Sequence, residues 1–196
     1  MNLVALPAFA DNYIWMLHDG AQAVVVDPGD AAPVDASLDR LQLQLAQILV
    51  THHHPDHVAG VDALRHRLQG PVHAPARESI PHPFILLNGG DAVAVPASRF
   101  EVVDGPGHTA GRNAKAGVDT ANAALPGETR VCCTHGYTPP NLRLAAAVEA
   151  DNPAVDVLGR TADQPVPAQP RSGCHRSGPR PGRSNGGPGR RAGRLA

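Results

Sequence analysis

The densest group of residues that could do chemistry in this chain is a run of four histidines and one aspartate within six positions, in Thr51-His52-His53-His54-Pro55-Asp56-His57. Buried imidazoles need partners, and protonated imidazoles side by side repel one another, whereas a divalent cation binds the lone pairs of their neutral forms. The run therefore predicts a metal site. Its spacing differs from the helical H-E-x-x-H zinc motif, in which the two histidines are four residues apart.

The spacing within this run indicates which side chains could share one ion. Alternate residues of an extended segment face the same side, so His52 and His54 can address one ion while His53 points away. After the turn at Pro55, Asp56 and His57 can address a second position nearby. We therefore expect two divalent ions that lie a short distance apart.

Two further histidines lie in loops that follow predicted strands. His108 lies in a glycine-rich loop after a strand that ends at Val103, and His135 comes after a strand that ends at Cys133. A lone histidine in such a place is more often structural than a ligand, but beside the cluster we interpret both as ligands. The predicted metal ligands are His52, His54, Asp56, His57, His108 and His135.

The elements that must position these residues alternate between strands and helices, which is typical of layered α/β domains. Most of the strands are apolar on both faces, which predicts sheets that are covered on each side. The predicted helices are Val34 to Leu45, Val58 to Leu68 and Pro140 to Ala150. The predicted strands are Tyr13 to Leu17, Gln22 to Val26, Ile48 to Val50, Val72 to His73, Ala92 to Val95, Arg99 to Val103 and Arg130 to Cys133.

The composition divides the chain into two parts. All 18 acidic residues lie at or before Asp163, whereas residues 165–196 contain seven Arg, seven Gly and six Pro. Such a stretch cannot form a core, so we predict a metal-binding domain over residues 1–160 and a disordered tail over residues 161–196. The tail has no aromatic residue to stack on a base. We therefore favour a solvated or accidental extension over the alternative, a nucleic-acid-binding segment.

The apolar runs, the amino-terminal residues and the cysteines indicate the cellular compartment of the protein. No apolar run approaches the roughly 20 residues of a membrane span, and the start Met1-Asn2-Leu3 lacks the basic residues of a signal peptide. The three cysteines are an odd number and include an adjacent pair, which does not suit a disulfide framework. We expect a soluble cytoplasmic monomer with reduced thiols and no membrane partner.

Several motifs resemble those of a known family. The T-H-x-H-x-D-H run, the G-H-T-x-G around His108 and the T-H-x-Y-T around His135 are similar to the metallo-β-lactamase superfamily. Other segments resemble its glyoxalase II, or hydroxyacylglutathione hydrolase, branch. These segments are Asp11-Asn12-Tyr13, Val26-Asp27-Pro28-Gly29, Leu125-Pro126-Gly127-Glu128-Thr129, His135-Gly136-Tyr137-Thr138 and Asn141-Leu142-Arg143. The resemblance covers about Asn2 to Pro153.

This resemblance implies an αββα sandwich and a metal-dependent hydrolase of methylglyoxal detoxification, which cleaves the thioester S-D-lactoylglutathione to D-lactate and glutathione. It implies two divalent ions, zinc by expectation, with iron or manganese as alternatives. A hydroxide held between the ions would attack the thioester carbonyl. Tyr137 matches the family's glutathione-contacting tyrosine. By position, one ion would be held by His52, His54 and His108, and the other by Asp56, His57 and His135.

The chain also departs from the family pattern, as an internal deletion and an aberrant C-terminus would produce. Between His108 and His135 there is no Gly-Asp-Thr, whose Asp bridges both metals in the family, and no glycine-rich segment that contacts glutathione; Asp119 is the nearest echo. Gly136 stands where the family has Glu, and near Gly159 the C-terminal helical domain gives way to the tail. We therefore expect impaired thioesterase activity. Two alternatives stay open: a non-catalytic metal-binding remnant, and a superfamily hydrolase with another substrate.

Overall fold

The computed structural model of this chain describes residues 1–96, 98–103, 130–132, 134–135, 147, 174–176 and 193–195. Its main sheet has six strands, in the order β1 (Asn2–Ala8), β2 (Asn12–His18), β3 (Gln22–Val26), β4 (Gln44–Leu49), β5 (Val72–Pro75) and β6 (Ile85–Leu87). β1 and β2 pair antiparallel, as do β2 and β3, whereas β3 to β6 run parallel to one another.

Five further strands form two smaller sheets. In the first of these, β7 (Ala92–Val95) pairs antiparallel with β8 (Ser98–Val102), which also pairs parallel with β11 (Gly193–Leu195). In the second, β9 (Arg130–Cys132) pairs antiparallel with β10 (Cys174–Arg176). The helices in the described part of the chain are α1 (Ala31–Leu41), α2 (Pro55–Val58) and α3 (Val61–Leu64).

The core has two clusters, one on each face of the six-stranded sheet. One cluster packs the helical residues Val34, Leu38 and Leu64 against strand residues such as Met16 and Ile48. The other packs Trp15, Val24 and Leu49 against Val93 and Phe100 of the three-stranded sheet. Successive residues of β3 enter opposite clusters, as the prediction of strands apolar on both faces requires. The layers are thus helix, sheet and sheet.

The first predicted helix is correct in place but extends too far. It begins at Ala31, because the side chain of Asp30 accepts a hydrogen bond from the amide of Ala32 at 2.9 Å and so caps its amino end. It ends where Gln42 adopts left-handed backbone angles, with φ of 54°. Leu45, which continued the helical spacing, is buried in β4 instead.

In place of the second predicted helix, Val58 to Leu68, the structure has two separate helical turns, of which the first begins earlier and the second ends earlier than predicted. These are α2 and α3, and the break between them falls at Gly60. A Cβ atom at Gly60 would lie 2.5 Å from the carbonyl oxygen of Pro28, so only glycine allows this close approach. The apolar stripe nevertheless identified the right residues, since Val58, Val61 and Leu64 are all buried.

The predicted strands recur, with bounds that differ by a few residues, but β1, β6, β10 and β11 were not predicted. β1 is an edge strand that contains Pro7, which lacks the N–H that an inner strand would need. β6 has only three residues, and two of them are exposed, so its sequence lacks the buried strand pattern.

Some predictions concern residues that the structure does not describe. The third predicted helix lies outside the described residues except for Ala147, and the predicted tail does so except for β10 and β11. The division at residue 160 and the disorder of the tail stay predictions. No helix in the described ranges is both long and apolar enough to cross a membrane.

Candidate metal centre

The histidine run lies where two parallel strands end. Residues 50–54 follow β4 without belonging to a helix or strand, and α2 begins at Pro55. β3 lies beside β4 and ends at Val26, so the next residue, Asp27, comes close to Thr51. The carboxylate of Asp27 accepts hydrogen bonds from the Thr51 amide and hydroxyl, both at 2.7 Å. The fold therefore fixes the start of the run against the neighbouring strand.

Three of the predicted ligands converge on one point. The Oδ2 atom of Asp56 lies 3.3 Å from Nε2 of His57 and 3.4 Å from Nε2 of His135. One ligand atom from each of these residues lies within 4.8 Å of those from the other two. His57 is 2% exposed, and neither of its ring nitrogens has a well-formed hydrogen bond in the described part of the chain.

The β1–β2 hairpin brings Asp56 and His135 together. Asn12 forms an isolated antiparallel bridge with His135, and the amide of Tyr13 donates to the carbonyl oxygen of Thr134 at 2.7 Å. The side-chain amide of Asn12 also donates to Oδ2 of Asp56 at 2.8 Å. Asn12, Asp56 and His135, which are far apart in the sequence, therefore meet at one end of the main sheet.

The surroundings of Asp56 keep its carboxylate ionised. Partial burial raises the pKa of this carboxyl. The hydrogen bond from Asn12 and the charges of His57 and His135 outweigh burial, so the pKa lies below the ordinary value of aspartate. An ionised carboxylate is the form that binds a cation.

The other predicted pair lies directly beside this group. Nε2 of His52 is 3.1 Å from Nδ1 of His54, and the ring centroids of His52 and His57 are 3.9 Å apart. The remaining nitrogen of His52, Nδ1, lies 2.9 Å from the hydroxyl oxygen of Thr51. His52 and His54 thus present nitrogens to a second point adjacent to the first.

Asp27 connects the two groups of ligands. Its Oδ2 accepts the Thr51 hydroxyl, which contacts His52, and the same oxygen lies 3.1 Å from Nδ1 of His57. Asp27 is 2% exposed and has a positive φ of 53°, a conformation that aspartate adopts more readily than most residues. One buried carboxylate therefore orients an imidazole of each group.

The turn after Asp27 allows α2 to approach. A Cβ atom at Gly29 would lie 1.9 Å from the backbone oxygen of Asp56, a distance that no side chain could accommodate. The absence of a side chain at Gly29 therefore determines where Asp56 and His57 can lie.

His53 has different surroundings from its neighbours. Its backbone amide donates to Oε2 of Glu78 at 3.3 Å, and its ring Nδ1 bonds to the same oxygen. The His53 side chain is 41% exposed and that of Glu78 only 6%.

The structure thus brings together His52, His54, Asp56, His57 and His135. His108 and Tyr137 lie outside the described residues, so their predicted roles stay predictions. Asn12, Asp27 and Thr51 lie in segments that carry the family resemblance, but no role was predicted for them, and Glu78 was not predicted at all. A signal was present for Asn12 and Asp27, since both are polar residues at the ends of apolar strands.

The chemistry of these residues fits a divalent cation. Imidazole nitrogens and carboxylate oxygens are the ligands of zinc, and a tetrahedral ion with ligands about 2.0–2.2 Å away holds them about 3.3–3.6 Å apart. The separations of 3.3 and 3.4 Å around Asp56 agree with that spacing.

Comparison with known proteins places this arrangement in a class. The family model of the metallo-β-lactamase superfamily matches residues 9–113. The fold is similar to that of ETHE1 from Myxococcus xanthus, at 23% identity and a TM-score of 0.55, with 88% of this chain and 93% of that chain covered. It is also similar to a metallo-β-lactamase from Staphylococcus aureus, at 14% identity and a TM-score of 0.55, with 87% and 69% covered. The chain belongs to the metallo-β-lactamase superfamily, and the predicted fold class is confirmed.

Two curated relatives narrow the class. The hydroxyacylglutathione hydrolase of Albidiferax ferrireducens is 46% identical over 79% of this chain and 74% of that protein. That of Dechloromonas aromatica is 42% identical over 76% of this chain and 67% of that protein. Within the superfamily, the chain is therefore a member of the hydroxyacylglutathione hydrolase family. This membership confirms the predicted metal-dependent hydrolase class and the binding of divalent metal.

Proposed function

We propose that this chain hydrolyses S-D-lactoylglutathione, a thioester of glutathione, to D-lactate and glutathione. The proposal includes two zinc ions, with iron or manganese as alternatives. Asp56, His57 and His135 would hold one ion, and His52, His54 and His108 the other. Tyr137 would contact the glutathione part of the substrate.

The observation that carries this proposal is the spacing around Asp56. Its Oδ2 atom lies at the separation of two ligands of one ion from both His57 and His135. The contact of 3.1 Å between nitrogens of His52 and His54 supports a second ion, because one ion would bind both lone pairs. The ring contact between His52 and His57 brings the two positions side by side, as a two-metal hydrolase requires.

When bound, the ions would supply Lewis acidity, which lowers the pKa of water towards about 7 and polarises the thioester carbonyl. The chain's own residues prepare the site for them. Asn12 holds the Asp56 carboxylate in place and lowers its pKa, so the carboxylate is ionised near neutral pH. Asp27 orients His57, and through Thr51 it orients His52.

We expect turnover below that of the relatives. The sequence between His108 and His135 has no Gly-Asp-Thr to supply a bridging carboxylate, so repulsion between two cations would be less compensated. The missing glutathione-contacting segment should raise the Michaelis constant.

The proposal extends to a monomer that acts in the cytoplasm. The three cysteines, of which two are adjacent, suit a reducing compartment. Gel filtration of the purified chain tests the monomer.

The decisive experiment measures metal content per chain by elemental analysis, together with loss of the thioester absorbance of S-D-lactoylglutathione. We expect bound zinc, iron or manganese and slow hydrolysis. In H57A, metal content and hydrolysis should both fall, because a buried ligand is lost. H66A is the matched control, since His66 bonds only the nearby carbonyl of Ala63 in the described structure, and it should behave like the wild type.

Three outcomes would contradict parts of the proposal. A folded chain without metal would overturn the metal site. Bound metal without hydrolysis would favour the non-catalytic remnant. Bound metal with faster hydrolysis of a lactam, a phosphodiester or another thioester would favour a different substrate.

A further inference from the structure

We propose that Glu78 is a positioning residue for the metal centre, which holds the segment of residues 50–54 from a separate loop. This inference rests on the proposed metal site and adds a residue to it. Glu78 lies outside the histidine run and outside every motif of the family resemblance described above.

The segment needs attachments because it has no secondary structure of its own. Residues 50–54 belong to no helix or strand, yet they carry His52 and His54. At one end, Thr51 is bound to the carboxylate of Asp27. At the other end, the amide of His57 donates to the carbonyl oxygen of His54 at 2.9 Å.

Glu78 supplies an attachment in the middle of the segment. Its Oε2 accepts the backbone N–H of His53 and contacts the ring Nδ1 of the same residue. An ionised carboxylate only accepts hydrogen bonds, so this contact favours the tautomer of His53 in which Nδ1 carries the hydrogen and donates it. Two donors of one residue thus converge on one oxygen, which fixes both the backbone and the ring of His53.

The burial of Glu78 indicates that this contact is more than a surface ion pair. Exposed pairs of this kind contribute little, but the side chain of Glu78 is only 6% exposed, and a buried carboxylate needs such donors. Its loop is itself held in place. The Glu78 amide donates to the carbonyl oxygen of Pro75 at 3.2 Å, the Ala76 amide donates to Leu87 at 2.9 Å, and Ile80 is buried in the core.

The geometry explains how an exposed histidine can matter between two ligands. Since alternate residues of the segment face opposite sides, holding His53 on the outside keeps His52 and His54 on the inside. Release of His53 would let the segment rotate, and the two nitrogens that now lie 3.1 Å apart would separate. Residues that orient metal ligands commonly contribute 10- to 100-fold in metal affinity.

The test compares zinc affinity and cobalt spectra of variants of the full chain. Zinc dissociation constants come from competition with a chromophoric chelator, and the visible absorption of the cobalt-substituted protein reports ligand geometry. For E78A we expect a zinc dissociation constant raised about 10- to 100-fold and altered cobalt bands. E78Q keeps an oxygen that can accept the His53 amide, so it should lose only about 3- to 10-fold.

Two further variants complete the design. H53A removes the ring contact at an exposed position and keeps the backbone contact, so we expect a loss of about 3-fold. It also keeps the test valid if E78A does not fold. The matched control is E101A, which removes a glutamate from β8 of the three-stranded sheet and should leave the zinc affinity unchanged.

The failure of this inference is distinguishable from failure of the proposed function. If the wild-type chain binds no metal, the proposed metal site is wrong. If the wild type binds zinc and folded E78A binds it equally well, with unchanged cobalt bands, Glu78 has no positioning role. An E78A loss no larger than that of E101A would overturn the inference in the same way.

Discussion

Asp27 orients residues of both predicted ligand groups, His57 in one and His52 in the other. It contacts His57 directly and His52 through Thr51, and it is almost fully buried. A carboxylate in this place favours the tautomer of each imidazole that leaves Nε2 free to bind a cation. Its effect should therefore reach both metal positions at once.

Replacement of Asp27 tests this dependence. In D27N, a neutral oxygen or an NH2 group replaces the anionic oxygen that accepts the Thr51 hydroxyl and lies beside His57. We expect zinc affinity to fall about 10- to 100-fold, measured by chelator competition.

D30N is the control for that variant, since Asp30 lies three residues further on. Asp30 caps α1 through the Ala32 amide, and asparagine caps a helix about as well, so zinc affinity and stability should both stay unchanged. Equal zinc affinity in folded D27N and D30N would contradict the role of Asp27.

At the scale of elements, the residue that follows α1 has a backbone conformation that its side chain does not favour. Gln42 has a φ of 54°, and its amide donates back to the helix. Only glycine adopts this conformation without cost, and asparagine comes next. The end of the helix is therefore a place where the sequence is not optimal for the fold.

This mismatch predicts a stabilising substitution. Q42G should raise the free energy of unfolding by about 0.5–1 kcal/mol, because the exposed glutamine gives up its left-handed strain. R40G, two residues earlier inside the helix and also exposed, should lower it by about 1 kcal/mol. Urea unfolding of both variants measures the difference, and a loss of stability in Q42G would refute the argument.

The elements also show what local patterns can predict. Val58, Val61 and Leu64 were identified as core residues because their spacing alone reveals a buried face. The division of that helix into α2 and α3 was not foreseeable, because it depends on the approach of Gly60 to Pro28, a contact between distant residues. Leu45 fitted the helical spacing only by coincidence. It is buried because it lies in β4, and not because it belongs to the helix.

The same limit applies to the metal centre. The histidine run revealed four of its residues by composition, and the strand before His135 indicated a fifth. Asn12 and Glu78 reach the site across 44 and 25 residues, to Asp56 and His53 respectively. Periodicity within a segment carries no information about which remote loop will contact it.

At the scale of the whole molecule, one buried histidine connects pH to stability. His73 in β5 is 8% exposed, and burial lowers its pKa below the usual value of histidine. The folded chain therefore binds this proton less readily than the unfolded chain, whose histidines titrate near about 6.5. The free energy of unfolding should therefore rise as the pH increases through about 6.5, and it should fall as the pH decreases below that value.

A pair of glutamine variants isolates this contribution. H73Q should show a smaller increase in the free energy of unfolding between about pH 5.5 and 7.5 than the wild type, because its titrating group is gone. H82Q makes the same substitution at an exposed histidine and is the matched control. If H73Q keeps the full slope in urea unfolding, the burial of His73 is not its source.

The hydrogen bond from the Tyr13 amide to the Thr134 carbonyl oxygen allows local opening of the structure next to the metal centre to be measured. This amide can exchange with deuterium only when that bond opens, and its opening would detach Thr134 and the neighbouring His135 from the β1–β2 hairpin. The rate of deuterium uptake at the Tyr13 amide would thus measure how often the contact between the hairpin and Thr134 opens. Slower uptake after addition of zinc would show that the ion stabilises this contact in the absence of substrate.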